Sequence, residues 1–535
     1  MRTLIPFLSL FLLVPVCCIQ EEKQSTYLWD TLISDTIQYH PVRLDRDGNI
    51  LPWFSSDQGE SYDTVLMLVW NFWKNMETDS SGLKYYMNHQ VWKPEHDMRG
   101  LGGDQINMAL SSWRLLYAYT GDRSIVENMK YMADEYLARS LSDSSCIWPF
   151  LPYPYNTEIL SGRYDGDMRN GKGYLQPDKA GNFGYELVNL YKITGEKKYL
   201  EAAIRIARVL AGKTGPGDDE RSPLPFRVNA CTGEPGFFFS NTRRGIIESR
   251  ALYTANWTGT LMLFREMENF DPSNLQKYKT AFSVILDWMK EFPLKTNKWG
   301  PFFEDIPGWS NTQTNAVTFA MFIMLNRDLF PQWEKEVRGI FEWTYDELGN
   351  HEYEKYGVTV MNEQTVYRVP GNSHSSRQAS MELWYTRLSG DTTYKSNAFR
   401  TLNWATYTVD HDGKNRYIRD DIWLTDGYGD YVRHYLRAMA AFPELAPAHK
   451  NRMLYSTSVV SEIKYAGKQI IYRTFDKNSE EVLRLTAKPS RILAGDTELI
   501  ESDNPGSNTW KWTAMETGGT LGINHVDSDK VTVMF

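Results

Sequence analysis

The chain has 535 residues, of which 42% are hydrophobic and 14% aromatic, so it can bury a large core and form more than one domain. Its formal net charge of −9 and its lack of long Lys/Arg runs argue against nucleic acid as a partner, because nucleic-acid binding depends on neutralising phosphates. An anionic ligand would therefore have to meet locally placed arginines.

The first 18 residues are typical of a signal peptide: one arginine is followed by an apolar stretch that is too short to span a bilayer. Residues 13–18 resemble a bacterial lipobox, so we predict lipidation at Cys18, with Cys17 as the alternative. The sequence thus predicts an exported protein, held by a lipid anchor in the periplasm or at the cell surface of a Gram-negative bacterium. We expect no other membrane contact.

Residues 19–90 are expected to pack on the domain that follows them, and they contain one helical stretch at 62–76. After them, the pattern of a helix, a short Gly or Pro break and a second helix occurs six times. The clearest copies are residues 104–137 and 179–210, and weaker copies begin at Asn256, Asn311, His374 and Asp426.

The breaks have a physical cause. Gly121, Gly195 and Gly390 can adopt the left-handed conformation that ends a helix, and the acid after each glycine suits the positive end of the next helix. The copies start at uneven intervals of about 50 to 75 residues, whereas stacked solenoid repeats need near-identical units. We therefore predict a closed (α/α)6 toroid over residues 91–454, with an irregular helical domain as the alternative.

Residues 455–535 change from helical to alternating periodicity, with Gly, Asn and Pro between the runs. This pattern predicts a small C-terminal antiparallel β domain, in which we expect packing rather than chemistry. The mature chain keeps Cys146 and Cys231, both in long loops, and the sequence is compatible with a disulfide or with two free thiols.

The predicted toroid places its long loops at one face, where each outer helix leads into the next inner helix. These loops are rich in aromatic and charged residues, so we expect the chemistry at this face. The sequence has no phosphate-binding glycine loop, no nucleophile elbow and no paired histidines at metal-ligand spacing. We predict neither a metal nor a cofactor. Of the reaction classes considered, catalysis by carboxyl groups is the one that remains.

Asp104 and Asp178 each stand at the start of a predicted inner helix, and two carboxyl groups suffice to hydrolyse a glycosidic bond. The alternative is that both are helix N-caps. Glu304 and Asp305 lie among aromatic residues that could stack on a sugar and raise a carboxyl pKa, so they are reserve candidates. Further acids expected at this face are Asp165, Asp167, Glu363, Asp421, Asp426 and Asp430.

Residues 178–210, with Thr194-Gly195-Glu196 at the turn, resemble the six-hairpin glycosidases. The resemblance is to unsaturated glucuronyl hydrolases of glycoside hydrolase families 88 and 105 and to β-glucuronidases of family 154. It implies that Asp178 occupies the place of a catalytic aspartate, and His96-Asp97 resembles another aspartate-bearing segment of the family. This chain is longer than the smallest members of these families and adds a β domain. A β-glucuronidase that acts on a saturated uronide is therefore an alternative to an unsaturated glucuronyl hydrolase.

A uronic acid needs a cation for its carboxylate, and arginine binds such groups with two hydrogen bonds. The residues predicted to bind substrate are Arg377, His374, Arg368, Tyr367, Trp309, Asp167 and Arg169, with Arg243 and Arg244 as further arginines near the same face. The sequence therefore favours an exo-glycosidase that releases a terminal uronic acid from an oligosaccharide or polysaccharide. The alternatives are a polysaccharide lyase on the same ring and a non-catalytic glycan-binding lipoprotein.

Overall fold

The computed structural model describes residues 31–55, 57–79, 82–87, 103–158, 161–302, 307–416, 418, 429–504 and 506–535, without the side chains of residues 31–34. The predicted signal peptide and Cys18 lie outside these residues. None of the described helices is both long enough and apolar enough to cross a membrane.

Twelve long helices form a double ring, which confirms the predicted (α/α)6 toroid. The helices are α1 (Gln58–Asn75), α2 (Gly103–Thr120), α3 (Arg123–Ser140), α4 (Pro177–Thr194), α5 (Lys197–Lys213), α6 (Thr258–Phe270), α7 (Leu275–Glu291), the short α8 (Pro293–Thr296), α9 (Gln313–Leu325), α10 (Trp333–Leu348), α11 (Asn372–Ser389), α12 (Lys395–Thr406) and α13 (Asp430–Ala441). Helices α2, α4, α6, α9, α11 and α13 pack in that order as the inner ring, and α13 closes the ring against α2.

The sixth hairpin differs from the sequence prediction. Helix α13 is followed by a 3-10 turn at Pro443–Leu445 and then by a strand, not by a second helix. Its outer partner is α1, which contacts α3, α12 and α13 and comes from the other end of the chain. Helix α1 fills this place because one of its faces carries large buried side chains, including Tyr62, Trp70 and Trp73.

The turns between the helices of a hairpin follow the predicted chemistry. Gly121, Gly195 and Gly390 have φ angles of 72°, 73° and 80°, in the left-handed region that favours glycine. After Gly121, the Asp122 carboxylate accepts the backbone N–H of Ser124 at 2.9 Å and so caps α3. Short turns therefore join the two helices of each of these hairpins, at the end of the ring where the inner helices finish.

The strands form small two-stranded sheets and a C-terminal sandwich, and the sandwich confirms the predicted β domain. They are β1 (Thr31–Ile37), β2 (His40–Leu44), β3 (Gly166–Asp167), β4 (Gly171–Lys172), β5 (Tyr174–Leu175), β6 (Val228–Asn229), β7 (Phe237–Phe239), β8 (Ile247–Arg250), β9 (Gly349–Asn350), β10 (Val360–Met361), β11 (Arg452–Ser456), β12 (Val460–Ala466), β13 (Gln469–Thr474), β14 (Ser479–Leu485), β15 (Arg491–Ala494), β16 (Thr497–Glu498), β17 (Ile500–Glu501), β18 (Thr509–Ala514), β19 (Gly519–His525) and β20 (Lys530–Met534). The sandwich has two five-stranded sheets, in the orders β11-β14-β19-β18-β17 and β12-β13-β20-β15-β16. Its pairs are antiparallel except for β17 with β18.

The sandwich covers the end of the ring where the inner helices finish. The hydroxyl group of Tyr465 donates to the backbone oxygen of Ala118, near the end of α2, at 2.7 Å. The Tyr455 ring packs on Trp384 near the end of α11, with ring centroids 5.6 Å apart. The opposite end of the ring, where the inner helices begin, is formed by the long loops. We call that end the rim and the space enclosed by the inner helices the lumen.

Candidate active site

The rim brings together the first turns of the inner helices, and the side chains there are buried although many are polar. Asp104, Asp178, Gln313, His374 and Asp430 are each exposed by 2% or less. Buried polar groups normally form hydrogen bonds. The contacts of these residues therefore show which of their polar atoms already have a partner within the protein.

Asp178, in the first turn of α4, is held through one oxygen. Its Oδ2 accepts hydrogen bonds from Asn256 Nδ2 at 2.8 Å and from Lys179 Nζ at 3.1 Å. Its Oδ1 is buried and has no hydrogen-bond partner among the described residues. Residue 176 is the N-cap of α4, so Asp178 lies inside the helix and is not its capping residue. One oxygen is thus fixed by two donors, and the other has no hydrogen-bond partner among the described residues.

Lys179 is fixed as firmly as Asp178. Its Nζ donates to the backbone oxygen of Phe302 at 2.7 Å and lies 3.5 Å from the centre of the Phe302 ring. Its own backbone oxygen accepts from Asn107 Nδ2 on α2 at 3.0 Å. Asn107 lies one turn after Asp104, so this bond places the first turns of α2 and α4, with their two candidate carboxylates, side by side.

Asp430, in the first turn of α13, is surrounded by nitrogen donors. It pairs with Arg377 and Arg433, and its Oδ2 lies 3.1 Å from His434 Nε2. Burial alone would raise the pKa of the Asp430 carboxyl, but Arg377 and Arg433 outweigh burial and hold the pKa well below its ordinary value. Burial also holds the pKa of His434 well below its ordinary value, despite the opposing charge of Asp430. Neutral His434 therefore donates a hydrogen bond to an ionised Asp430.

Arg377 extends this network to the neighbouring inner helix. Its Nη1 donates to Gln313 Oε1 at 2.9 Å and to Thr314 Oγ1 at 3.0 Å, both on α9. Thr314 Oγ1 also lies 3.2 Å from His374 Nε2. A continuous polar chain therefore runs from α9 through α11 to α13, and Arg377 is its central cation.

Asp167 lies in a rim loop where its carboxylate is fully engaged. It accepts hydrogen bonds from Gln176 Nε2 at 2.6 Å and from the backbone N–H groups of Arg169 and Asn170, and Arg227 Nε lies 3.2 Å away. Burial raises the pKa of this carboxyl, but Arg227 and the hydrogen bonds outweigh burial and lower it. These contacts fold the loop that leads into α4.

A disulfide ties two rim loops together. Cys146 follows α3 and Cys231 follows β6, and the structure joins them across 85 residues of sequence. Beside it, the backbone N–H of Trp148 donates to the backbone oxygen of Ala230 at 2.8 Å. Of the two alternatives left by the sequence, the structure has the disulfide.

Most of the other predicted binding residues lie near the surface. Arg368 is exposed and approaches Glu347 at 4.0 Å, and Tyr367 and Arg169 are also exposed. Trp309 is half-buried and packs against Tyr253 with ring centroids 5.1 Å apart. Several predicted positions lie outside the described residues: Glu304, Asp305, His96, Asp97, Asp421 and Asp426.

The structure adds residues that the sequence analysis did not single out. Lys179 and Asn256 hold Asp178, and Arg433 and His434 hold Asp430. The last two could have been found, because Asp430, Arg433 and His434 recur at helical spacing and so share one face of α13. In the described part of the chain, no group of three His, Cys, Asp or Glu side chains is arranged to hold a metal ion.

Comparisons with known proteins identify the ring. No protein-family model matches the chain, and no curated protein matches it. Among solved structures, a cellobiose 2-epimerase from Spirochaeta thermophila has 12% identity and a TM-score of 0.54, over 72% of this chain and 96% of that chain. A D-mannose isomerase has 10% identity and a TM-score of 0.52, over 74% and 99%. A family 76 glycoside hydrolase from Bacteroides thetaiotaomicron has 12% identity and a TM-score of 0.45, over 72% and 78%. At such identities, the first two likenesses establish the fold.

Proposed function

We propose that this protein is a carbohydrate-active enzyme, an exo-acting glycoside hydrolase that releases a terminal uronic acid from a complex glycan. The observation that carries the proposal is the half-bonded carboxylate of Asp178, at the end of the ring that the β domain leaves uncovered. The sugar-acting neighbours support the substrate class, and the sequence resemblance to the glucuronidase families supports the reaction. Lipid anchoring at Cys18 after export remains part of the proposal.

The surroundings of Asp178 suit a general base. The Lys179 ammonium lies 3.1 Å from Oδ2, and Asp178 stands in the first turn of α4. Asn256 and Lys179 fix Oδ2, so Oδ1 is free to take a proton from a water molecule that attacks the anomeric carbon. Asp104 on the adjacent helix is the partner that would protonate the leaving oxygen. This division of roles gives an inverting hydrolysis.

The test is the substitution Asp178→Asn, which keeps the side-chain shape and the hydrogen bond from Asn256 but removes the base. We expect release of glucuronic acid from uronate-bearing oligosaccharides to fall by about 10²- to 10⁴-fold. The matched control is Asp219→Asn, an exposed aspartate in another long loop, and it should keep full activity. Full activity in a folded Asp178→Asn protein would remove Asp178 from the mechanism.

A second candidate is proton abstraction next to a carbonyl or carboxylate group, the first step of a lyase or a sugar epimerase. The observation that favours it is His434, a neutral imidazole whose Nδ1 is buried without a hydrogen-bond partner among the described residues. A lyase would produce an unsaturated uronide that absorbs in the ultraviolet. An epimerase would incorporate deuterium from heavy water into a released free sugar, whereas the proposed hydrolase does neither.

A further inference from the structure

Three arginines meet inside the lumen, below the carboxylates of the rim. Arg433 and Arg437 follow Asp430 by one and two helical turns on the same face of α13. Arg114 projects from α2, the helix that packs beside α13. Arg433 Nη1 donates to Ser111 Oγ on α2 at 3.1 Å, so the two helices present their arginines to one space.

Among the described residues, the carboxylates around these arginines are too few to neutralise them. Asp430 is shared between Arg433 and Arg377. Glu186 on α4 lies 3.6 Å from Arg114 Nε. In the described part of the chain, four guanidinium groups thus face two carboxylates, and Arg437 has no hydrogen bond or ion pair there.

An unpaired cation in the interior of a protein is costly. Burial and the neighbouring cations, Arg433 before Arg114, lower the pKa of Arg437 to about 9. The Arg114 and Arg433 side chains nevertheless remain 21% and 14% exposed. Arg437 is also partly exposed, so all three arginines keep surface that a ligand could contact.

We propose that Arg114, Arg433 and Arg437 form an anion site that takes the carboxylate or sulfate group of an acidic glycan. Guanidinium groups bind such oxyanions with paired hydrogen bonds, and the ligand would supply the missing negative charge. The β domain covers the far end of the ring, so the acidic group enters from the rim and is the terminal group of the glycan. This inference rests on the proposed function and specifies its substrate class.

Binding is measured on the full mature protein, by calorimetry and by thermal shift, in buffers matched for ionic strength with sodium chloride. The probes are glucuronate, inorganic sulfate and uncharged glucose. We expect glucuronate or sulfate, but not glucose, to raise the melting temperature, and the better of the two anions identifies the acidic group. Failure of both anions to bind would overturn the anion site.

The decisive variant is Arg437→Met, with Arg327→Met, an exposed arginine on the outside of the ring, as the matched control. We expect Arg437→Met to bind the anion at least tenfold more weakly and to melt at a higher temperature than the wild type when no ligand is present. The higher melting temperature follows because the change removes an uncompensated charge. Unchanged anion affinity, or a lower melting temperature without ligand, would show that Arg437 is already compensated and would refute the proposal.

The outcome is separable from that of the glycosidase proposal. Asp178→Asn should bind the anion as the wild type does, because Asp178 is not part of the arginine cluster. Release of glucuronic acid by a protein that binds neither free anion, with Arg437→Met as active as the wild type, would overturn the anion site alone. Anion binding without release of any sugar would overturn the hydrolase alone.

Discussion

Asp430 and Glu382 are both completely buried carboxyl groups on neighbouring inner helices, yet their pKa values move in opposite directions. Asp430 faces Arg377 and Arg433, which hold its pKa well below the ordinary value. Glu382 lies where α11 meets α10, and burial raises its pKa to about 8, although Gln378 and Tyr345 donate hydrogen bonds to it. The comparison teaches that burial acts on both groups alike, and that the charge of the partners decides which form exists.

Asp178 differs from both Asp430 and Glu382 in its partners. It has one cationic partner, Lys179, and one neutral partner, Asn256, and both bind the same oxygen. Asp430 instead has a guanidinium group beside each oxygen, Arg377 at Oδ2 and Arg433 at Oδ1. Equal burial therefore hides a difference in surroundings, because a cation lies beside each Asp430 oxygen while Asp178 has a cation beside one oxygen only.

The largest effect on stability is expected for Asp430→Asn. The change leaves the buried Arg377 and the partly exposed Arg433 without their shared anion, so the free energy of unfolding should fall by about 3–5 kcal/mol. Chemical denaturation monitored by circular dichroism measures it. Asp412→Asn, at a more exposed aspartate, is the control. A loss of less than about 1 kcal/mol would mean that the arginines are neutralised by other groups.

Removing one cationic partner from Asp178 and one from Asp430 compares how strongly each carboxylate depends on that partner. Lys179→Met leaves Asp178 with no cationic partner and should lower the free energy of unfolding by about 3 kcal/mol. Arg433→Met should cost clearly less, because Asp430 keeps Arg377 and His434. Denaturation of the two variants side by side tests the order, and the reverse order would contradict this account of the two sites.

The last effect, at Glu382, is small for each pH unit and accumulates as the pH rises. In the folded protein burial raises the pKa of Glu382 to about 8, so the side chain stays protonated below that pH. In the unfolded chain it ionises above its ordinary pKa of 4.5. Its contribution to stability is therefore fully present below pH 4.5 and is lost as the pH rises towards 8. Within that window the loss is about 1.4 kcal/mol for each pH unit.

Glu382→Gln keeps a neutral side chain of the same shape and should remove this dependence. The variant should gain stability relative to the wild type as the pH rises from 5 to 8, as measured by denaturation at several pH values. Glu201→Gln, at an exposed site on α5, should leave the pH profile unchanged. Parallel profiles for Glu382→Gln and the wild type would show that Glu382 is ionised in the folded state.

Local sequence signals predicted most of the ring. Gly121, Gly195 and Gly390 mark turns because few other residues accept a positive φ, and this requirement is visible without the fold. The sixth outer helix could not be assigned in the same way. Helix α1 is far from α13 in sequence, and only packing of its aromatic face pairs the two.

The site was predicted less completely than the fold. Asp104, Asp178 and Asp430 stand in first turns of inner helices, and the hairpin pattern placed them at one end. The pattern did not show that Lys179 turns towards Asp178, because a neighbouring residue on a helix normally points elsewhere. It also favoured Arg368 as a substrate ligand, whereas the structure exposes this side chain beside Glu347.

The sequence by itself determined the hairpins, their turns, the β domain and the end of the ring where polar groups gather, because each depends on residues close together in the chain. Only the tertiary structure decided which of those polar groups have hydrogen-bond or ion-pair partners. Partners such as Asn256 for Asp178 and Arg377 for Asp430 come from other helices. The charge imbalance around Arg437 likewise exists only once three inner helices enclose one space.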